Sequence, residues 1–358
     1  MVYSYGITQQ GTYHIKNDLV CQDAHKTIKC GDRFAISAVA DGLGSEQHSD
    51  LAAQIAVAKS TEYCANRLHD DCSDEQILQV MRKAFSVAQA AIEQEAEKNG
   101  HEYDQYDTTL SLAILKDGSL FFGHSGDSGI VALTTDGRFE AVTEQQRDEE
   151  GRVFPLFFGE SKWVFGKYPK PVASVFLATD GVLETLFPVY IREEPVSIYV
   201  PLARYFMDPD SLHIEEVGED AVQDRIGNYI SNIPDSKVND DKTVVVMVDT
   251  ESTIERQPPE YYAELDWPAL IAKYREKVNR MLYPDLYSEE KSQDSTQATD
   301  KEGVKEAQQD YSDKSKITDE IENNQSEALF QKKNETGESD GSILPKKLIG
   351  DKEKTNQQ

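Results

Sequence analysis

Cysteine is scarce in this sequence. Cys21, Cys30, Cys64 and Cys72 are its only four in 358 residues, and no two share the CxxC spacing of a zinc ribbon or redox pair. In a chain of this length so few thiols are expected to stay reduced. No run of about 18 apolar residues occurs, which excludes a transmembrane helix. The opening Met1-Val2-Tyr3-Ser4-Tyr5-Gly6 has neither a basic start nor an apolar stretch, so no signal peptide is expected and the expected location is the cytoplasm. Positive charge is also short: 37 Lys+Arg stand against 65 Asp+Glu, a net charge of −28. A chain this acidic repels phosphate backbones and anionic lipid, so neither nucleic acid nor a membrane is an expected partner. The histidines, among them His14, His25, His48 and His124, show no HxH or HExxH spacing, and no G-x-S-x-G elbow is present. Zinc-hydrolase and serine-hydrolase chemistry therefore lack support.

Aromatic residues almost vanish after residue 287, where only Tyr311 and Phe330 remain. The segment 288–358 holds 17 acidic and 11 basic residues among Ser, Gln and Asn. It cannot bury enough apolar surface to offset chain entropy and is expected to be a disordered polar tail. Most of the negative charge consequently belongs to the part before it. Within residues 1–255, short apolar runs at 33–40, 108–115, 119–124, 129–135, 172–179 and 243–248 read as strands. Asp117-Gly118 is a type I′ hairpin signal between two of them. Residues 48–68 and 73–98 read as helices, and 256–287 as a helical extension opened by Pro258-Pro259. Short hairpin-linked strands with long helices predict an α+β fold in which two antiparallel sheets pack face to face under helices.

The chemistry sits at strand ends. Asp41 and Asp180 each close an apolar strand and precede a glycine; Asp127 lies in the connection between two strands; Asp240-Asp241 precedes the last one; Asp23 stands just before the first. Any single Asp-Gly pair reads more simply as a turn, and Asp117-Gly118 and Asp136-Gly137 do. Several aspartates gathered at one rim of a sandwich repel one another unless protonated or neutralised. Hard carboxylate oxygens suit Mg²⁺ or Mn²⁺ rather than zinc.

The order Gln22-Asp23, VADGLG at 39–44, DTTLSLAIL at 107–115, GHSGDS at 123–128, FLATDGV at 176–182 and DDKTVVVM at 240–247 resembles the metal-dependent protein serine/threonine phosphatases of the type 2C (PPM) class. The stretch GTYHIKNDLVCQDAH at 11–25 is similar to the bacterial branch. The resemblance covers about residues 5 to 250 and implies an αββα four-layer sandwich. It implies hydrolysis of phosphoserine or phosphothreonine, a phosphoprotein substrate, a partner Ser/Thr kinase, and a cofactor of two Mn²⁺ or Mg²⁺ ions, with a third, looser ion in bacterial members. By motif, Asp41 would bridge two ions with the Gly42 carbonyl as a further ligand. Asp180 and Asp240 would complete one ion's shell, Asp240 rather than Asp241 because it holds the first position of the D-[ND]-x-T pattern. Asp23 would act through water near the second ion, and Asp127 would hold the third. Two such ions, about 3.5–4 Å apart, would on this resemblance supply an activated hydroxide for in-line attack on phosphorus.

Three positions depart from the family pattern. Gln22 stands where a glutamate is usual, Gly129 follows GDS in place of an arginine, and residues 11–23 contain no arginine to bind phosphate. His14 lies closest to that arginine's place and is expected either to take over its contact with phosphate as a catalytic residue beside Asp41 and Asp23, or to make only a structural hydrogen bond. Residues 145–171 fall where the family has a variable flap. A second reading, a phosphatase-like binding module with weak or no catalysis, follows from Gln22 and the absent arginine. A third, a calcium module, is disfavoured because such loops gather their ligands within about a dozen residues, whereas these span Asp23 to Asp240.

Overall fold

The computed structural model describes residues 1–284 of the chain. The expected tail at 288–358 lies outside the described residues. Two compact units divide the chain, Met1–Ala263 and a second beginning at Glu264. In the second unit the described element is helix α9 (Trp267–Leu282), which starts where Asp266 Oδ1 accepts from the Ala269 amide. The first unit reaches past residue 255: Glu255 N donates to Thr135 O, and Phe139 N to Tyr261 Oη.

Ten strands form two five-stranded antiparallel sheets in the first unit. The first sheet runs β1 (Val2–Gln9), β10 (Lys242–Asp249), β9 (Val172–Ala178), β6 (Gly129–Thr134), β7 (Phe139–Ala141). The second runs β2 (Asp23–Gly31), β3 (Phe34–Asp41), β4 (Leu110–Lys116), β5 (Ser119–Ser125), β8 (Val164–Lys167). The helices of this unit are α1 (Thr12–Lys16), α2 (Ser49–Ala65), α3 (Asp74–Asn99), α4 (Asp180–Leu186), α5 (Val200–Met207), α6 (Pro209–Leu212), α7 (Ile214–Val217) and α8 (Glu219–Ser231).

Alternation explains the layering. Successive side chains of a strand point to opposite faces, and β3 is apolar on both. Ile36, Ala38 and Ala40 join the core under α2 and α3, with Ala53, Ala56, Phe85 and Ile92. Ala35 and Val39 join the inter-sheet core, with Ile130, Val175, Leu177 and Val245. A strand buried on both faces reads as an unbroken apolar run, which is why the segments at 33–40, 172–179 and 243–248 were legible. On the outer face of the first sheet, α8 lies along β1 and α5 along β9 and β10. Phe176 there meets Phe206 at 5.4 Å between ring centroids, and Tyr5 Oη donates to Phe206 O. The result is the expected αββα sandwich. Asp117 and Gly118 both have positive φ, 51° and 72°, as a type I′ turn demands. All four cysteines are free.

Register brings the strand ends together. Asp23 on β2 pairs with Asp41 on β3. Ala178 at the end of β9 pairs with Gly129 on one side and Val244 on the other. The residues flanking these pairs, Asp127, Asp180 and Asp240-Asp241, are therefore delivered to one rim.

Candidate functional site

Asp41 ends β3 in a clamp. Its amide donates to Thr109 Oγ1 at 2.9 Å, and its carbonyl accepts from Thr108 Oγ1 at 2.9 Å and Thr109 N at 2.8 Å. Asp127 is carried by the β5–β6 connection, where Gly126 adopts φ +109° and a Cβ would stand 2.5 Å from Thr109 Cβ. Only glycine fits that turn. Asp180 opens α4 directly after β9. One carboxylate oxygen from each of Asp41, Asp127 and Asp180 lies within 4.8 Å of the others.

Asp23 faces the same space from β2. Its Oδ2 accepts from Thr179 Oγ1 at 2.8 Å, while its Oδ1 is buried without a hydrogen-bond partner. An orphaned buried carboxylate oxygen beside three further carboxylates is a donor set that a hard divalent cation fits. The Gly42 amide donates to Gln22 O at 3.0 Å, and the chain at Ser49 passes so close that its carbonyl oxygen would lie 2.6 Å from a Cβ at this position.

The two neighbouring aspartates before β10 part company. Asp240 has a 60% exposed side chain, whereas that of Asp241 is buried and accepts from the Gly11 and Gln22 amides, each at 2.6 Å. His14 lies between them, with Nδ1 3.0 Å from Asp241 Oδ2 and 2.9 Å from Val20 O, and Nε2 3.4 Å from Asp240 Oδ1. Both partners of Nδ1 are acceptors, so that nitrogen carries hydrogen. The ring is buried and lies with Asp240 and Asp241, one ligand atom of each within 4.8 Å of the others, and not with Asp41, Asp127 and Asp180.

The Gln22 side chain is tied to the start of α2, its Nε2 donating to Ser49 Oγ at 2.7 Å. Gly129 leaves room for Leu183 of α4, whose Cδ2 would lie 2.5 Å from a Cβ there. One residue that sequence reasoning passed over is Arg147, whose Nη2 stands 2.7 Å from Asp127 Oδ2 and 3.2 Å from Asp180 Oδ2. Flanked by Gln146 and Asp148, it has the composition of any solvated loop.

Crowding shows in the protonation equilibria. Burial first, then Asp23, Asp180, Asp127 and Asp240, hold the Asp41 carboxyl well above the usual range. Burial does the same for Asp23 against its Thr179 hydrogen bond, and lifts Asp180 to about 6 and Asp107 to about 7. These carboxyls bind protons in the folded chain that the unfolded chain has released near pH ~4. The stability they contribute is complete below that pH and is lost as pH rises through the folded values. Metal-stripped protein is thus expected to melt several degrees higher at pH 5.5 than at pH 8, with Mg²⁺ restoring the loss at pH 8. A melting temperature that rises with pH in the metal-free protein would contradict this.

The sequence matches the family model for protein phosphatase 2C over residues 10–210. No curated protein matches it. By structure it is similar to a bacterial serine phosphatase carrying an arginine-to-lysine substitution, at 12% identity and a TM-score of 0.50, covering 70% of this chain and 98% of that one. A serine/threonine phosphatase of Staphylococcus aureus aligns at 14% identity and TM-score 0.49, covering 69% of this chain and 95% of that one. One of Mycobacterium tuberculosis aligns at 18% identity and TM-score 0.47, covering 69% and 98%. With its motifs on one rim of an αββα sandwich and more than half its length matched, the chain belongs to the protein phosphatase 2C family.

Proposed function

We propose that this chain is a metal-dependent phosphoprotein phosphatase hydrolysing phosphoserine or phosphothreonine with Mn²⁺ or Mg²⁺. The observation that carries the reading is the convergence of Asp41, Asp127 and Asp180 within 4.8 Å from separate elements of the fold. Asp23, Asp41, the Gly42 carbonyl, Asp180 and Asp240 would hold two ions, and Asp127 is where the family likeness puts an additional one. When bound, the ions supply Lewis acidity, activating water and neutralising phosphoryl oxygens. The protein supplies the frame. Thr108 and Thr109 fix the backbone of Asp41, and Thr179 aims Asp23. His14 is a positioning residue, holding Asp240 beside the buried Asp241. A cluster so assembled before substrate arrives needs no reorganisation at the moment of reaction.

No helix among the described residues is long and apolar enough to cross a membrane. The proposed setting is the cytoplasm, the proposed partners a phosphoprotein and the kinase that makes it. The test is hydrolysis of a phosphothreonine peptide in the presence of Mn²⁺, Mg²⁺, Ca²⁺ or EDTA. Turnover is expected with the first two and none in EDTA. Full turnover in EDTA would overturn the reading; Mn²⁺ binding without turnover would favour the binding-module alternative.

A further inference from the structure

Arg147 is not a loose surface arginine that happens to reach the carboxylates. The chain around it is tied to the connection that carries Asp127. Gln145 Nε2 donates to Asp127 O at 2.9 Å, and Gln146 N to Gly126 O at 2.8 Å. Gly126 N returns a bond to Gln146 Oε1 at 3.1 Å, and Gln146 Nε2 reaches Lys162 O at 3.0 Å. On the far side, Arg147 forms a β-bridge with Val153, and Asp148 Oδ1 accepts from the Glu150 and Arg152 amides. The arginine is thereby built into the same frame as its partner.

Its single Nη2 spans two of the three clustered carboxylates. Among the described residues no other ion pair reaches Asp41, Asp127 or Asp180. The contact to Asp127 is the shorter, and Asp127 is the more buried, with a side chain 5% exposed against 24% for Asp180. Asp127 therefore depends most on this cation, while Asp180 keeps more of its surface for another ligand. A guanidinium stays charged at any working pH. A divalent ion on Asp127 would stand beside it, and like charges at contact distance in a half-buried site repel strongly.

We propose that Arg147 is a protein-borne replacement for the additional divalent ion: its guanidinium neutralises Asp127 and keeps metal off that carboxylate, so the chain holds two ions rather than three. This rests on the metal-dependent reading above. It also gives Asp127 a role that does not require metal there.

The test is calorimetric titration of the full chain with Mn²⁺ alone, which reads stoichiometry and affinity directly and does not depend on turnover. Wild type is expected to bind two ions. Arg147→Ala is expected to bind a third, with affinity for it raised about tenfold or more. Arg147→Met, which keeps the stem and removes the charge, should behave alike and guards against a folding defect in the alanine variant, with thermal melts of both as the check. Arg147→Lys should stay near two. Adding Asp127→Asn to Arg147→Ala should remove the third ion again, which would locate it. Equal stoichiometry and affinity in wild type and both charge-removing variants would overturn this proposal alone. A wild-type chain that binds no Mn²⁺ would overturn it together with the metal-dependent reading.

Discussion

Asp41→Asn is expected to lower kcat/KM for a phosphothreonine peptide by about a hundred- to a thousandfold in saturating Mn²⁺. Asparagine keeps the shape of the side chain and removes one of the charges available to hold metal. The backbone of residue 41 is clamped by Thr108 and Thr109 through bonds that the side chain does not make. The strand end should therefore stay in place. The loss of one negative charge also relieves repulsion from Asp23, Asp127, Asp180 and Asp240, the neighbours that drive the Asp41 carboxyl upward. Metal-stripped Asp41→Asn is accordingly expected to be at least as stable as wild type at pH 8 while turning over almost nothing. Kinetics and thermal melts on the same preparation separate the two effects. Turnover close to wild type would remove Asp41 from the metal centre; a large drop in melting temperature would make it a structural residue.

The second large effect divides two neighbouring aspartates. Asp241→Ala should cost stability, and Asp240→Ala should cost metal affinity. Asp241 is buried and accepts from the Gly11 amide, the Gln22 amide and His14. Alanine leaves the two amide N–H groups without an acceptor, at about 1–3 kcal/mol for each, while His14 Nδ1 keeps the Val20 carbonyl. Opposing this, Asp241 repels Asp23. That is one charge acting at a distance against hydrogen bonds made in contact, so the bonds dominate. A net loss of roughly 3 kcal/mol, or ~6–12 °C in Tm, is expected. Asp240, by contrast, is mostly exposed, and its contacts are the long one to His14 and one from the Asp241 amide at 2.8 Å. Its removal should change stability by less than ~1 kcal/mol and weaken Mn²⁺ binding measurably by titration. The reverse order of effects would show that the motif assignment had chosen the wrong aspartate.

Much of the architecture is legible in the amino-acid sequence, and the elements show why. β3, β9 and β10 are apolar on both faces, so they stand out as continuous runs that end at an aspartate. α3 carries a full capping box between Ser73 and Gln76 and ends at Gly100, signals that act within a few residues. β1 was not legible. It is an edge strand of mixed composition, and its Gly6 is needed because the His25 ring would lie 2.6 Å from a Cβ, a constraint imposed by a strand nearly twenty residues away. The short helices between Asp180 and Ser231 were missed as well, since several of them are too brief to show a helical period.

The aspartates were legible as a set because each ends or precedes a strand, and strand ends are local features. Their individual surroundings were not. Asp240 and Asp241 carry the same chemistry in adjacent positions, and only the direction in which the backbone enters β10 turns one toward Gly11 and Gln22 and leaves the other open. Arg147 is the extreme case. Nothing in its neighbours in the chain distinguishes it, and its position against Asp127 and Asp180 follows from bonds that Gln145 and Gln146 make to a connection about twenty residues earlier. The amino-acid sequence alone determined the alternating and helical periods, the strand ends and the kinds of ligand available, because these depend on neighbours in the chain. The tertiary structure alone decided which carboxylates meet and which cation stands among them, because those contacts are set by sheet register between segments remote in sequence.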